Sequence, residues 1–254
     1  MIYNPFFERK AIDAVVVPMG VSADDYAVTL RTAFRITNML GAIITMPHKR
    51  STVGLLDGHS SRVLAAGSCN AIVRRPDGSL FGDLFDGIGL IKGLLRNGFQ
   101  VRGSRCLVIG AGGVGSAIAM ALAGAGARAL TICDIARSHA DAVIARLHQH
   151  HPDVESTAGP NDPSGFDLVV NASPLGMSPA DPLPVDIARL ARPTFVAEVV
   201  MKPDVTPLLA AASERGCPTQ PGVDMLFEQI PLYLEFFGLG QASSDELRAV
   251  ARLT

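Results

Sequence analysis

Three glycines carry the first chemical signal in this chain. Val108-Ile109-Gly110-Ala111-Gly112-Gly113-Val114-Gly115 has the spacing GxGxxG, between an apolar run and a helix-forming run. In that setting Gly110 permits a tight turn, Gly112 lets the backbone approach a pyrophosphate, and Gly115 lets a helix pack close to its strand. The N-terminus of the helix that follows then offers free N–H groups and the positive end of a dipole to the phosphates, with Gly113 and Val114 counted among the cofactor-binding residues. The same glycines would also make a tight strand-to-helix turn with no ligand. Asp134 lies 19 residues after Gly115, where the next strand ends. A carboxylate there grips the adenosine ribose hydroxyls of NAD and repels the 2′-phosphate of NADP; capping the following helix is the alternative role. Arg137 offsets the repulsion if it turns inward. NAD is therefore the expected cofactor, with NADP possible.

The elements around this turn read as alternating strands and helices. Strands are expected at residues 106–109, 130–133, 168–171 and 195–200, with helices at 116–126, 138–148 and 207–215. Such alternation makes βαβ units and a parallel sheet, so the expected fold class is α/β. Upstream, residues 11–18 and 41–47 are β-branched or apolar runs closed by proline and read as strands. Residues 27–40 read as a helix capped by Ser22 or Asp24. Pro76-Asp77-Gly78 is a turn tripeptide that makes residues 68–74 and 79–83 a hairpin. Residues 86–97 and 225–237 read as helices, the second with Met225, Leu226, Ile230, Leu234 and Phe237 on one face.

Composition narrows the function classes. The chain has 254 residues, 48% hydrophobic and 18% charged, enough to bury a sizeable core. A net charge of −2 gives no electrostatic footprint for nucleic acid or an anionic lipid surface, and without tryptophan there is little base-stacking material. The four cysteines form no CxxC pair and fit no zinc spacing, so they read as reduced core thiols of a cytoplasmic protein, with no metal. Residues 106–127 carry no charge over 22 positions, long enough to span a bilayer, but their clustered glycines read better as strand, turn and buried helix. MIYNPFFERK has no apolar stretch of signal-peptide length.

Further motifs resemble those of the shikimate dehydrogenase family. Thr45-Met46-Pro47-His48-Lys49 is similar to that family's TxPxK segment and Gly67-Ser68-Cys69-Asn70 to its GAxN turn. Asp86-Gly87-Ile88-Gly89 resembles the Asp-Gly-x-Gly that opens its cofactor domain. Asn171-Ala172-Ser173-Pro174-Leu175-Gly176-Met177 resembles its NxTPxGM loop, and Gly222-Val223-Asp224-Met225-Leu226 with Gln229 its GxxML…Q segment. The motifs run in family order over nearly the whole chain. The resemblance implies two domains with a cleft between them. Residues 1–88, completed by C-terminal helices at 225–254, would be the α/β substrate domain; 89–224 would be the Rossmann-type NAD(P)-binding domain.

It also implies roles. Lys49 would be the acid/base lysine and Asp86 its carboxylate partner. Thr45, Asn70 and Gln229 would hydrogen-bond the hydroxyls of a small ring acid. Asn171, Ser173 and Met177 would border the nicotinamide side of the cofactor, with Gly222 close by. The chemistry suits the residues: oxidising a secondary alcohol removes a hydroxyl proton as hydride leaves, and the reverse reaction needs a proton donor at the carbonyl. Blander roles exist for each, a surface lysine for Lys49 and a helix cap for Asp86. His48 is read as a spacer.

Three positions depart from the family pattern. Leu84-Phe85-Asp86 stands for Asn-Thr-Asp, Asp134-Ile135-Ala136 for an Asn-Arg-Thr clamp on NADP, and Met201 for a tyrosine. The family's first strand and Ser-x-Ser-Pro segment, which bind the substrate carboxylate, have no counterpart before Met1-Ile2-Tyr3-Asn4. The substrate sheet is therefore expected to keep an unpaired edge, and turnover of shikimate to be poor. The expected activity is reversible, NAD(P)-linked conversion of shikimate to 3-dehydroshikimate or of quinate to 3-dehydroquinate, by a monomer or homodimer. The alternatives are a dehydrogenase of a related cyclitol acid such as aminoshikimate, and a nucleotide-binding regulator without turnover. A folate-type dehydrogenase fits the Asp-Gly-x-Gly and GxxML…Q segments less well.

Overall fold

The computed structural model describes residues 2–251. Met1, and residues 252–254 at the end of the expected 225–254 stretch, lie outside the described residues. The chain opens with helix α1 (Tyr3–Lys10), followed by α2 (Tyr26–Ala33) and strand β1 (Gly41–Ile43). Next come β2 (Gly58–His59), α3 (Ser61–Ala66), β3 (Ala71–Arg74) and β4 (Leu80–Asp83). These strands form a sheet of order β1-β3-β4-β2. β3 and β4 are the expected antiparallel hairpin, with Ala71 opposite Asp83 and Arg74 opposite Leu80.

Residues 11–18 are not a strand. Among the described residues no strand lies beside this segment, and one side chain holds its middle: Val16 donates its N–H to Asn4 Oδ1 at 2.8 Å, and Asn4 Nδ2 donates to the Val16 carbonyl at 3.1 Å. A β-branched run supplies an extended backbone, while a strand requires a second backbone beside it. Val15, Val17 and Met19 are consequently exposed, and β1 and β2 are the edges of the four-stranded sheet.

Helix α4 (Asp86–Arg96) leads into the second sheet, built from β5 (Arg105–Ile109), α5 (Gly113–Gly124), β6 (Ala129–Cys133), α6 (Arg137–His150), β7 (Glu155–Ala158), β8 (Leu168–Asn171), β9 (Phe195–Glu198), α7 (Pro207–Glu214) and β10 (Thr219–Gln220). All six strands are parallel, in the order β10-β9-β8-β5-β6-β7. The strand order reverses on either side of β5, and ligands of open α/β sheets bind outside the strands' carboxyl ends at such a point. Helix α8 (Gly222–Phe236) begins three residues ahead of the expected start, and α9 (Ser244–Val250) follows, opened by a Ser243/Glu246 capping box.

α4 joins the two sheets. Ile72 of the first, Leu90 and Leu94 of α4, Ile118 and Leu122 of α5, and Leu130 of the second share one buried cluster. The two glycines of Asp-Gly-x-Gly explain how closely this helix is packed. A Cβ on Gly87 would lie 2.5 Å from the Ala121 Cβ of α5, and one on Gly89 would lie 2.7 Å from the Met225 carbonyl of α8. No helix among the described residues is long and apolar enough to cross a membrane. The apolar stretch 106–127 instead forms β5, the turn and α5.

Candidate active site

Lys49 follows the turn after β1, and Asp86 is the first residue of α4. Lys49 Nζ donates to Asp86 Oδ2 at 2.7 Å, and both side chains are buried, 11% and 3% exposed. Asp86 takes the first helical position, Phe85 being the cap residue, so its charge faces the positive end of α4 while its oxygens serve other partners. The second oxygen, Oδ1, accepts from Gln229 Nε2 of α8 at 3.2 Å, and Gln229 Oε1 accepts from the Tyr233 hydroxyl at 3.4 Å. One carboxylate thus holds the lysine and the glutamine, residues 180 positions apart, at a single point.

Asn70 belongs to the same neighbourhood. Its Oδ1 accepts from the Phe85 N–H at 3.0 Å, at the start of α4, while its buried Nδ2 has no protein partner. A buried donor without a partner is costly, and a substrate oxygen would satisfy it. Thr45 is exposed at the turn leading to Lys49, its carbonyl accepting from the His48 N–H. The His48 ring stacks on Tyr26 with centroids 4.0 Å apart, and its Nε2 lies 3.0 Å from the Val21 carbonyl, so the side chain is committed to local structure.

The dinucleotide turn lies against this group. Gly110 sits at φ +98°, where residues with a Cβ are strained, and a Cβ on Gly115 would lie within contact of the Gly110 carbonyl. A Cβ on Gly112 would meet nothing within 4 Å: there is open space beside this backbone. α5 starts at Gly113 with no side-chain cap, leaving its first N–H groups to a ligand. These features fit a pyrophosphate. Gly113 also faces the first sheet's residues, its ideal Cβ being 3.1 Å from Lys49 Cβ and 2.8 Å from Ser68 Oγ. The proton-transfer candidate and the cofactor turn are therefore neighbours.

Asp134, just past β6, accepts the Ala111 N–H on Oδ2 at 2.7 Å and the Ala136 N–H on Oδ1 at 2.9 Å. It shapes the glycine turn as well as its own. Arg137 donates to Asp141 at 2.8 Å along α6 and is 73% exposed in its side chain. Ile135, between them, is fully exposed.

Asn171 ends β8. Its Nδ2 donates to the Leu175 carbonyl at 2.8 Å and its Oδ1 accepts from Ser173 Oγ at 2.6 Å, which shapes the loop through Met177. Met177 is exposed, and Gly222 is buried at the first turn of α8 against the Val200 carbonyl. All four cysteines are free thiols, and burial pushes Cys69 and Cys106 up to about 12. No group of three or more His, Cys, Asp or Glu side chains among the described residues could hold a metal.

Sequence reasoning missed Tyr233, Ser68 and Glu198. Tyr233 lies one helical turn beyond Gln229, a spacing visible in the sequence. Ser68 is wholly buried with an unpartnered hydroxyl, which nothing in its neighbours signals. Glu198 had a signal: it is the lone charge in the run Phe195-Val196-Ala197-Glu198-Val199-Val200.

Comparison with known proteins adds independent lines. Residues 1–72 match the shikimate dehydrogenase substrate binding domain and residues 96–159 match the ThiF family. A shikimate dehydrogenase (NADP(+)) of Acidiphilium cryptum is 34% identical over 252 residues, covering 98% of this chain and 90% of the relative. The ligand-free 5-ketofructose reductase of Gluconobacter sp. strain CHM43 superposes with a TM-score of 0.84 at 27% identity, covering 97% and 90%. The quinate dehydrogenase of Corynebacterium glutamicum, solved with NAD, gives 0.81 at 28% identity, covering 92% and 84%.

Proposed function

Since the chain belongs to the shikimate dehydrogenase family, we propose that it moves a hydride reversibly between a nicotinamide dinucleotide and the ring alcohol of shikimate or quinate. The observation that carries the proposal is the buried Lys49–Asp86–Gln229 cluster set against the turn at Gly113. The dinucleotide, when bound, supplies the hydride acceptor or donor. Every other step belongs to the chain's own side chains. Lys49 Nζ takes the hydroxyl proton during oxidation and returns it to the carbonyl oxygen during reduction, the role of a positioned general acid–base. Asp86 fixes Nζ in place and, through its other oxygen, orients the Gln229 amide. Asn70 Nδ2 and Thr45 Oγ1 are further groups for ring hydroxyls. Residues 1–88 with the helices from 225 onward form the half that holds the ring acid, and 89–224 the half that holds the dinucleotide.

NAD is the preferred cofactor in this reading. Asp134 supports it through its charge beside the glycine turn, and Arg137 through its pairing with Asp141. The relative from Acidiphilium cryptum is named for NADP(+), so the preference rests on these two residues. Met201, where the family has a tyrosine, favours a second reading: a related cyclitol acid such as aminoshikimate. The test is a matrix of NAD and NADP against shikimate, quinate and aminoshikimate, followed at the reduced-nicotinamide absorbance band. The highest kcat/KM is expected with NAD and shikimate or quinate. Absence of turnover in all six combinations, with dinucleotide still bound, would replace the enzyme by a nucleotide-binding regulator.

A further inference from the structure

Glu198 is a fully buried carboxylate that takes no part in proton or hydride transfer. It ends β9 in register with Asn171 at the end of β8, at the carboxyl edge of the parallel sheet. Asn171 Nδ2 donates to both of its oxygens, at 3.1 Å and 3.0 Å, and Thr206 Oγ1 donates to Oε1 at 2.9 Å. Thr206 is the N-cap of α7, its oxygen accepting from the Leu209 N–H. The surroundings of Glu198 are donors, which suits its ionised form, present above about pH 7, because both oxygens then only accept.

The same carboxylate reaches the loop between Asn171 and Met177. Asn171 relays it to Ser173 and to the Leu175 carbonyl. At Gly176 (φ +98°) the turn closes over it: an ideal Cβ there would be 3.9 Å from Glu198 Oε1 and 3.5 Å from Thr206 Cβ. Two segments that leave the sheet on the cofactor side, 171–177 and 199–206, are therefore pinned to one buried acid.

We infer that Glu198 is a positioning residue: through Asn171 and Thr206 it sets the loop that places the nicotinamide ring for hydride transfer. This rests on the proposed dehydrogenase reading, in which that loop borders the nicotinamide. Replacing the carboxylate by an amide keeps its volume but turns one acceptor into a donor, which faces Asn171 Nδ2 in either orientation and Thr206 Oγ1 as well in one of them. The loop beyond Ser173 then shifts while the glycine turn, held by Asp134 through the Ala111 N–H, keeps its shape.

The test compares native protein with Glu198→Gln in two binding measurements and one kinetic one. ADP-ribose carries the adenosine and pyrophosphate but no nicotinamide, and its Kd should stay within about twofold. The Kd of the whole dinucleotide should rise, and kcat with shikimate should fall about tenfold or more, because a small misplacement of reacting atoms is costly. The KM for shikimate should change by less than about threefold. Parallel weakening of ADP-ribose would mark a merely structural role and overturn the inference, as would unchanged kcat and dinucleotide Kd. If Glu198→Gln does not fold, Thr206→Val, which removes the donor to Glu198 together with the N-cap acceptor of α7, should give the same split at about two- to fivefold; unchanged values there overturn it. If the native protein turns over none of the ring acids, the function reading fails by itself, while the two binding constants still decide the role of Glu198.

Discussion

Glu198→Gln should remove a dependence of stability on pH that the native protein carries between about pH 4.5 and about 7. Burial raises the Glu198 carboxyl from 4.5 to about 7, and hydrogen bonds from Asn171, Thr206 and the backbone of Val200 and Val199 only partly oppose it. Below pH 4.5 folded and unfolded chains both hold this proton. Between the two values the folded chain keeps it and the unfolded chain has released it, so stability falls as pH rises, and above about 7 the loss is complete. At about 1.4 kcal/mol per tenfold in proton concentration, the interval from 4.5 to about 7 amounts to about 3 kcal/mol. Glutamine does not titrate. Urea unfolding of both proteins from pH 4.5 to 8 measures the difference; far-UV circular dichroism is the signal, because the chain has no tryptophan. The stability of native protein relative to the variant should drop by about 3 kcal/mol across the range, other titrating groups cancelling between the two. A constant difference would refute the burial argument for Glu198.

Other outcomes follow from the cofactor side. Gly112→Ala should fold normally, since its Cβ meets nothing, yet should weaken dinucleotide binding about tenfold or more by filling the space beside the turn. Gly115→Ala should lose stability as well as binding, since its Cβ collides with the Gly110 carbonyl; equal melting temperatures for the two variants would contradict this. Asp134→Asn should move the ratio of kcat/KM for NADP over NAD upward by about tenfold, one removed like-charge contact. A native enzyme already faster with NADP would show that the carboxylate serves the loop, through Ala111 and Ala136, rather than cofactor choice.

Much of this site can be read from the sequence because its parts are local. GxGxxG at 110–115, the strand before it and the helix after it are neighbours in the chain, and glycine spacing reports backbone constraints directly. The Pro76-Asp77-Gly78 turn likewise announces its hairpin. Strands without an apolar signature stay hidden: β7 is Glu-Ser-Thr-Ala at a sheet edge, and β10 has two residues. Residues 11–18 look like a strand and are not one, because pairing is a property of what lies alongside. The pairing of Asp86 with Lys49 is a tertiary fact that family resemblance reaches and periodicity does not, while its bond to Gln229 is reached by neither. Glu198 was visible as a charge in an apolar strand, but its link to Asn171 required the register of β8 and β9.

The most direct measurement is the turnover of Lys49→Ala with shikimate and NAD, alongside the Kd of NAD for the same variant. Loss of a positioned general acid–base lowers kcat by ~10²–10⁴-fold. Alanine keeps the Cβ that lies against Gly113, so the Kd should stay within about threefold of native. A Lys49→Ala enzyme with near-native kcat would contradict the assignment of Lys49 as the proton-transfer residue, and with it the reading of the Lys49–Asp86–Gln229 cluster as the chemical centre.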